Sequence, residues 1–437
     1  MGKNNGAKSA LAVLVAINIL NFYDRNALGA LAEPIRKEFH LNDTQVGLLG
    51  SVFTWLYAVV GVPIGNMADR SSRKRLLTAG IVVWSALTGM AALASTYMIL
   101  LVSRLGFAVG EAAVAPTATS WIGDLFPASK RAAPLALFMI GVPMGGALAY
   151  FFSGPVAQAF GWRTAMVVAA APALLLIPLL LRLKEPERGA TEKTQEHSEK
   201  GFKAIQAVAK IPTLWWIIAS GALLNFNMYA LGTFMPAFLS RIHHVTLAKS
   251  GIDTGITYAI GGIGGTLIAG WMGDRVIKRR RNGRLLWAAG ITVLAAPTAY
   301  LSIVSQDLVM AIVFMTMSYG ALCTYYGLVY SAIQDIVAPA MRATAMSIYF
   351  MAMYLCGAGF GPLLTGKVSD MMARRAADAA GSAVITDAFK AIGLQQAMLI
   401  MPVFSVLLGL VLFMGSRTIG RDMDRREIRA RVVPVPA

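Results

Sequence analysis

Charge is scarce in this chain, and acidic charge scarcest. Only 14% of the 437 residues are Asp, Glu, Lys or Arg, and 22 acids face 39 bases. A soluble domain of this length needs a charged exterior that this chain cannot supply, so most of its surface must meet lipid. Cysteine is nearly missing: Cys323 and Cys356 lie in separate apolar segments and give no disulfide framework. The four histidines (His40, His197, His243 and His244) fall in loops or a linker without metal-ligand spacing. No catalytic dyad has plausible reach, so an enzyme is excluded, and neither a cofactor nor a metal is expected. What abounds is apolar: 57% of residues are hydrophobic. Several runs exceed the ~20 residues that cross a bilayer as helix.

The net charge of +17 would suggest nucleic acid if the bases shared one face. They cluster instead in alternate connections between apolar segments, the pattern of a membrane protein with a positive cytoplasmic side. The basic side holds Lys3, Lys8, Arg70, Arg73, Lys74, Arg75, the segment after Arg182, the run from Lys278 to Arg281, and the tail from Arg417. Both termini are therefore expected in the cytoplasm of a multi-pass protein, which demands an even number of spans. The first apolar run reaches Leu31 without a cleavage signature and reads as an uncleaved span. Short loops and the lack of long tails fit a bacterial inner membrane; a monomer is expected.

Twelve spans are expected, at 9–32, 44–68, 76–95, 97–121, 132–157, 162–183, 213–240, 250–273, 285–305, 307–333, 342–370 and 395–416. The fold class is thus all-α integral membrane protein, in two pseudo-symmetric six-helix bundles. The bundles cover 1–183 and 213–416; residues 184–212 form a charged linker and 417–437 a basic cytoplasmic tail. Within the linker, Phe202 to Ala209 reads as one amphipathic helix lying on the membrane. The halves look like repeats. Gly65 with Asp69 and Arg70 matches Gly270 with Asp274 and Arg275 at an offset of 205. Asp124, Pro127 and Arg131 match Asp335, Pro339 and Arg342 near an offset of 211, and Leu20-Asn21-Phe22 matches Leu224-Asn225-Phe226. Matches in register at nearly constant offset point to internal duplication.

The stretch from Gly65 through Asp69, Arg70 and Arg73 to Arg75 resembles the signature loop between helices 2 and 3 of the major facilitator superfamily. Ser72 stands where that pattern usually carries a second glycine. The resemblance implies alternating access, with a latch that breaks as the halves change state. Gly65 would let a neighbouring helix approach, and Asp69 would meet an arginine or a helix N-terminus. The expected gating set is Gly65, Asp69, Arg70, Arg73, Asp124, Arg131, Asp274, Arg275 and Arg342.

Four charged residues lie deep in apolar spans, all in the first half: Asp24 and Arg25 in helix 1, Arg104 and Glu111 in helix 4. A charge at bilayer depth costs several kcal/mol, so each is a functional candidate with a partner to be named. At ~1.5 Å per residue, Asp24, Arg25 and Arg104 lie about 10–12 Å below one face. Asp24 is expected near Arg25 or Arg104, while Glu111 has no obvious cation. Asp24 and Glu111 are therefore the candidate proton carriers. The alternative is two static salt bridges between helices 1 and 4. The second half offers apolar, aromatic and amide positions. A cavity charged on one wall and apolar on the other suits an amphiphile. Its expected contacts are Arg25, Arg104, Tyr23, Asn225, Tyr229, Tyr326, Tyr330 and Tyr354.

Two motifs fail. Gly361 to Val368 approaches a phosphate-binding loop but lies in an apolar helix without a preceding strand. The glycines of helix 8 (Gly261, Gly262, Gly264, Gly265 and Gly270) read as small residues for close helix contact. No nucleotide-driven pump is implied; an ion gradient or the solute's own gradient supplies the energy.

Four segments together resemble the Spinster family of that superfamily. They are Asn21-Phe22-Tyr23-Asp24-Arg25, Leu41-Asn42-Asp43-Thr44-Gln45-Val46-Gly47 at the start of helix 2, Gly110-Glu111-Ala112 with Pro116, and Ile122-Gly123-Asp124-Leu125-Phe126-Pro127. The match is dense over residues 18–165 and loose beyond. The resemblance implies export of lysolipids or sphingolipid-like amphiphiles, in some members with protons, and places Asp24, Arg25, Arg104 and Glu111 in a polar cavity. The rival resemblance is to proton-coupled symporters of organic anions such as sugar acids, which also carry an Asp-Arg pair in helix 1 and a glutamate in helix 4. There Arg25 or Arg104 would grip a carboxylate. The expected partners are thus a small amphiphile, protons and membrane lipid.

Overall fold

The computed structural model describes residues 2–127, 130, 132–187, 202–338 and 341–432. Among them there is no strand, and the long helices follow the apolar runs: α1 (Gly2–Ala30), α2 (Asp43–Arg70), α3 (Arg73–Ala92), α4 (Tyr97–Leu125), α5 (Ala133–Phe160) and α6 (Trp162–Arg182). After the linker come α7 (Pro212–Ile242), α8 (247–279), α9 (Gly283–Val304), α10 (Leu308–Ile336), α11 (342–379) and α12 (387–432). Eleven of these are long and apolar enough among the described residues to cross a membrane. The twelfth expected span, α8, falls short because eight of its residues are glycine, which dilutes its hydropathy without shortening it. Between α1 and α2 a short helix covers Ala32–Glu38, and the expected linker helix covers Phe202–Ala209.

Most of the breaks inside the long helices share a cause. α4 loosens at Ala112 and Ala113, α5 at Ile140, α6 at Leu176, α11 at Gly359 and Phe360, and α12 at Leu399. Each break lies two to four residues before a proline: Pro116, Pro143, Pro178, Pro362 and Pro402. A proline offers no N–H to the preceding turn and crowds its carbonyls, so the ladder opens there. α8 has no proline and is interrupted instead by a π-turn, Thr257–Gly262.

The chain divides by its packing into two units. One comprises Met1–Gln195, Tyr229–Ala259 and Pro362–Ala397; the other Glu196–Met228, Ile260–Gly361 and Met398–Ala437. The boundary therefore runs through α7, α8, α11 and α12. In the first unit α1 packs on α5, α5 on the opening turns of α8, and α3 on both α4 and α6. Its core gathers Leu14, Ile17, Phe53, Trp84, Phe107 and Trp121. In the second, α9 packs on α10 and α12 and the later part of α8 on α10, over Leu214, Leu285, Tyr325, Tyr349 and Leu408. Two of the helix-8 glycines act as expected there, since a Cβ on Gly261 would strike the Thr316 carbonyl and one on Gly265 the Gly320 carbonyl of α10; Gly264 and Gly270 do not, as no described atom would meet a Cβ on either within 4 Å.

The expected basic tail is helical through Val432, continuing α12 without a break after Leu399. Asp422 on this extension, itself buried, accepts hydrogen bonds from the Thr213 backbone N–H at 3.0 Å and the Thr213 hydroxyl at 2.6 Å. It thereby satisfies an otherwise orphaned donor in the first turn of α7. Arg281 pairs with Asp424, and Arg426 donates to the Asp335 carbonyl at 2.8 Å.

Candidate functional site

The four intramembrane charges meet in the first unit. α1 presents Asp24 and Arg25, and the turn of α4 just before its proline-loosened stretch presents Glu111. Arg25 donates from Nε to Glu111 at 2.9 Å, and its terminal nitrogen lies 2.8 Å from the same carboxylate oxygen. Both groups are buried, Glu111 completely. The expectation that Glu111 lacks a cation is therefore corrected: helix rotation brings Arg25 to it. Asp24 is the carboxylate without a hydrogen bond, since neither of its oxygens accepts one. The Trp84 indole bears on Asp24, yet its nitrogen closes no hydrogen bond either. Asp24 lies within coulombic reach of Glu111 and Arg104.

Aromatic faces stand in for water around the cations. The Arg25 guanidinium lies over Phe22, Phe53 and Tyr57 at 4.6, 5.1 and 4.6 Å from the ring centres. Arg104 lies over Phe53 at 5.0 Å and Phe107 at 4.7 Å. Phe53 of α2 thus serves both guanidiniums, each favoured by the ring's negative face; sequence reading missed it because a lone Phe in an apolar run carries no signal. The Nε of Arg104 has no hydrogen-bond partner. Beside it Asp24, Thr88, Ser103, Phe107 and Met166 line a cavity of about 10 Å³ in water-centre volume, room for about one water. Tyr23 accepts a hydrogen bond from Ser153 at 3.3 Å, and Tyr229, half-buried on α7, belongs to this unit as well.

The second unit holds Asn225, Tyr326, Tyr330 and Tyr354. Tyr326 donates to Asn225 at 3.1 Å, and Asn225 donates to the Gly221 carbonyl at 2.8 Å. The rings of Tyr326, Tyr330, Tyr349 and Phe350 follow one another at 5.5–5.7 Å between centres. Among the described residues no group of three or more His, Cys, Asp or Glu side chains could hold a metal ion.

Residues 14–362 match the family model described as Major Facilitator Superfamily. The chain belongs to that superfamily. An MFS-type efflux pump of Mycolicibacterium smegmatis is 30% identical over 369 residues, covering 84% of this chain and 85% of the pump. Protein spinster homolog 3 of Danio rerio is 28% identical over 443 residues, 96% of this chain and 86% of the relative. A crystal structure of a bacterial homologue of the human lysosomal transporter Spinster, inward-facing and unoccupied, aligns with a TM-score of 0.86 at 28% identity, covering 95% of this chain and 98% of that one. The chain is a Spinster-like secondary transporter of the major facilitator fold, not an enzyme.

Of the residues expected to form the gate, the structure brings Arg73 and Asp124 together. Arg73 is fully buried and pairs with Asp124; it also reaches Glu185 at 3.4 Å and donates to the Pro186 carbonyl at 2.8 Å. Glu185, which the sequence placed in the solvated linker, accepts from the backbone of Arg73 and from Ser72, so it caps α3. Those hydrogen bonds outweigh partial burial and hold its carboxyl below the usual carboxylate range. The second half repeats the pair as Arg284 with Asp335. Arg284 follows Arg73 by 211 residues, as Asp335 follows Asp124, so the repeat offset could have found it. Gly65 does not make the expected close approach: among the described residues nothing would meet a Cβ there within 4 Å. Arg275 stacks on Trp271 at 3.9 Å and Arg342 donates to the Gln334 carbonyl at 3.2 Å; among the described residues neither meets a carboxylate. Arg131 lies outside the described residues, as do the side chains of Asp69, Arg70 and Asp274.

Proposed function

We propose that this transporter moves an amphiphilic, lysolipid- or sphingolipid-like solute by alternating access, coupled to protons, with both termini on the cytoplasmic side of a cell membrane. The observation that carries the reading is the division of labour inside the charged cluster. Arg25 and Glu111 neutralise one another through one carboxylate oxygen, the other accepting nothing, whereas among the described residues Asp24 has no ion-pair partner and accepts on neither oxygen, and the Nε of Arg104 is buried without an acceptor. Buried groups of that kind are costly unless a partner arrives. A proton suits Asp24, and an anionic headgroup suits Arg104. Phe22, Phe53, Tyr57 and Phe107 give the cluster an apolar lining that accepts the first carbons beyond a headgroup. The likeness to spinster homologues supports the lipid class.

The buried Nε of Arg104, which donates to no acceptor, also favours the second reading, in which a sugar acid or other organic carboxylate is the cargo. Purified protein in liposomes separates the two. Under an imposed pH gradient, lysophospholipid is expected to redistribute between leaflets faster than in protein-free vesicles, while a sugar acid is not taken up. Uptake of the sugar acid without lysophospholipid movement overturns the amphiphile reading.

A further inference from the structure

We infer that the outer face of the α12 extension, a row of three arginines running out of the membrane, is a binding surface for the phosphate headgroups of anionic phospholipids in the leaflet at this end of the second unit. Arg417, Arg421 and Arg425 follow one another at four-residue spacing and all are exposed. On a helix that spacing sets them on one face, each about 6 Å beyond the last. The row continues a face already given to lipid: Leu410, Phe413 and Met414, just before it, are exposed apolar residues of the spanning part of α12. The Arg417 guanidinium lies over the Phe413 ring at 4.8 Å, so the first cation stands where the hydrocarbon ends. Headgroups fill roughly the next 5–8 Å of a bilayer, which places Arg417 and Arg421 among them. A guanidinium there offers a phosphate two parallel N–H donors.

α8 leaves the membrane in the same manner. Trp271 is exposed and carries Arg275 over its ring at 3.9 Å. Lys278, Arg279 and Arg280 follow, all exposed. Arg281, next in line, pairs with Asp424 and reaches Glu427 at 3.3 Å, which fastens this basic turn to the α12 extension.

The acids of the region are already engaged. Residues 275–284 and 417–427 hold ten bases and three acids. Arg281 takes Asp424 and Glu427, while Asp422 is buried against Thr213 and lies 3.8 Å from Arg425. Arg417 and Arg421 are left facing outward. A surface of that balance draws anions, and the abundant anion at this depth is a lipid phosphate. Orientation in the membrane does not require this arrangement, because topogenic charge is blind to spacing and the earlier loops usually set it first. The bonds from Thr213 to Asp422 and from Arg426 to the Asp335 carbonyl hold the extension by another face, so the row is presented rigidly. The surface lies wholly in the second unit, shares no residue with the α1–α4 charges, and does not depend on the cargo.

The test is native mass spectrometry of the full-length protein in detergent, titrated with phosphatidylglycerol and separately with phosphatidylcholine of the same chains. The parent is expected to bind phosphatidylglycerol at least tenfold more tightly. Arg417→Gln, Arg421→Gln and Arg425→Gln together are expected to remove that preference, at about fivefold for each cation. Lys367→Gln, Arg374→Gln and Arg375→Gln together, which neutralise exposed cations of α11 in the other unit, are expected to leave it in place. A preference that survives the first triple, or falls equally in both, overturns the inference. Arg417→Lys with Arg421→Lys and Arg425→Lys keeps the charge and must retain more of the preference than the glutamine triple; equal loss would show that charge is not what is recognised. Glycerol 3-phosphate, which has the phosphate without the chains, is expected not to displace the lipid at equal concentration. Equal displacement would mark a site for soluble anions and overturn the lipid assignment. No arm measures transport, so either outcome leaves the amphiphile reading standing.

Discussion

Arg25 and Glu111, 86 residues apart, share a single carboxylate oxygen between two guanidinium nitrogens in a site from which solvent is nearly absent. Removing one member strands the other. Glu111→Gln is expected to destabilise the protein by about 3–5 kcal/mol, the usual result of breaking one side of a buried pair. Arg25→Gln combined with Glu111→Gln is expected to cost less than the sum of the singles. Thermal unfolding in detergent, read as a double-mutant cycle, checks this; strict additivity would show the pair to be uncoupled.

Asp24→Asn keeps the shape of the side chain and removes its charge. Solute exchange without a gradient is expected to persist, while acceleration by a pH gradient disappears. Liposome flux with and without a gradient measures both, and undiminished acceleration would reduce Asp24 to a packing role.

Glu33 gives a pH dependence of definite sign. Burial alone would raise its carboxyl, but the Arg36 hydrogen bond and the charge of Arg241 outweigh it and hold it at about 2, against an ordinary 4.5. Lys37 at 4.0 Å and Asp387, which reaches Arg36 at 3.3 Å, also face this cluster. A depressed folded value means the contribution is complete above the unfolded value and is lost as pH falls from about 4.5 to about 2. The difference is worth on the order of 2–3 kcal/mol at neutral pH. The melting-temperature gap between parent and Glu33→Gln should thus be constant above pH 5 and narrow below it. A gap that widens on acidification would contradict this.

The repeated pairs are unequal. Arg73 is wholly buried among Asp124, Glu185 and two carbonyls, whereas the Arg284 side chain is 15% exposed beside Asp335. Arg73→Ala is expected to cost about 3–5 kcal/mol and Arg284→Ala about 1 kcal/mol, following the difference between buried and part-solvated pairs. Equal losses in unfolding experiments would argue that burial does not set the ranking.

Sequence reading succeeded where one-dimensional signals are strong. Apolar runs located the helices, and the offset that relates Asp124 to Asp335 relates Arg73 to Arg284 as well. The intramembrane position of Asp24, Arg25, Arg104 and Glu111 was legible because charge there is expensive. Their pairing was not, since it depends on how α1 and α4 rotate against each other, and a rotation of one residue exchanges Asp24 for Arg25. The pairs that Arg241 makes with Asp43 and Glu33 escaped for a different reason. Their members stand at helix ends, where charge is the norm, and Arg241 lies 198 residues from Asp43. Glu185 was hidden by its charged neighbours, which gave a helix cap the look of linker.

Asp422 carries a consequence for how the protein is made. It holds the start of α7 from 209 residues further along the chain. A ribosome delivering α7 to the membrane therefore releases a helix whose first turn waits, unfastened, until the codon for Asp422 has been read. Chains that stop before Asp422 should leave the second half inserted but unfinished, open to the quality-control proteases that patrol the bilayer.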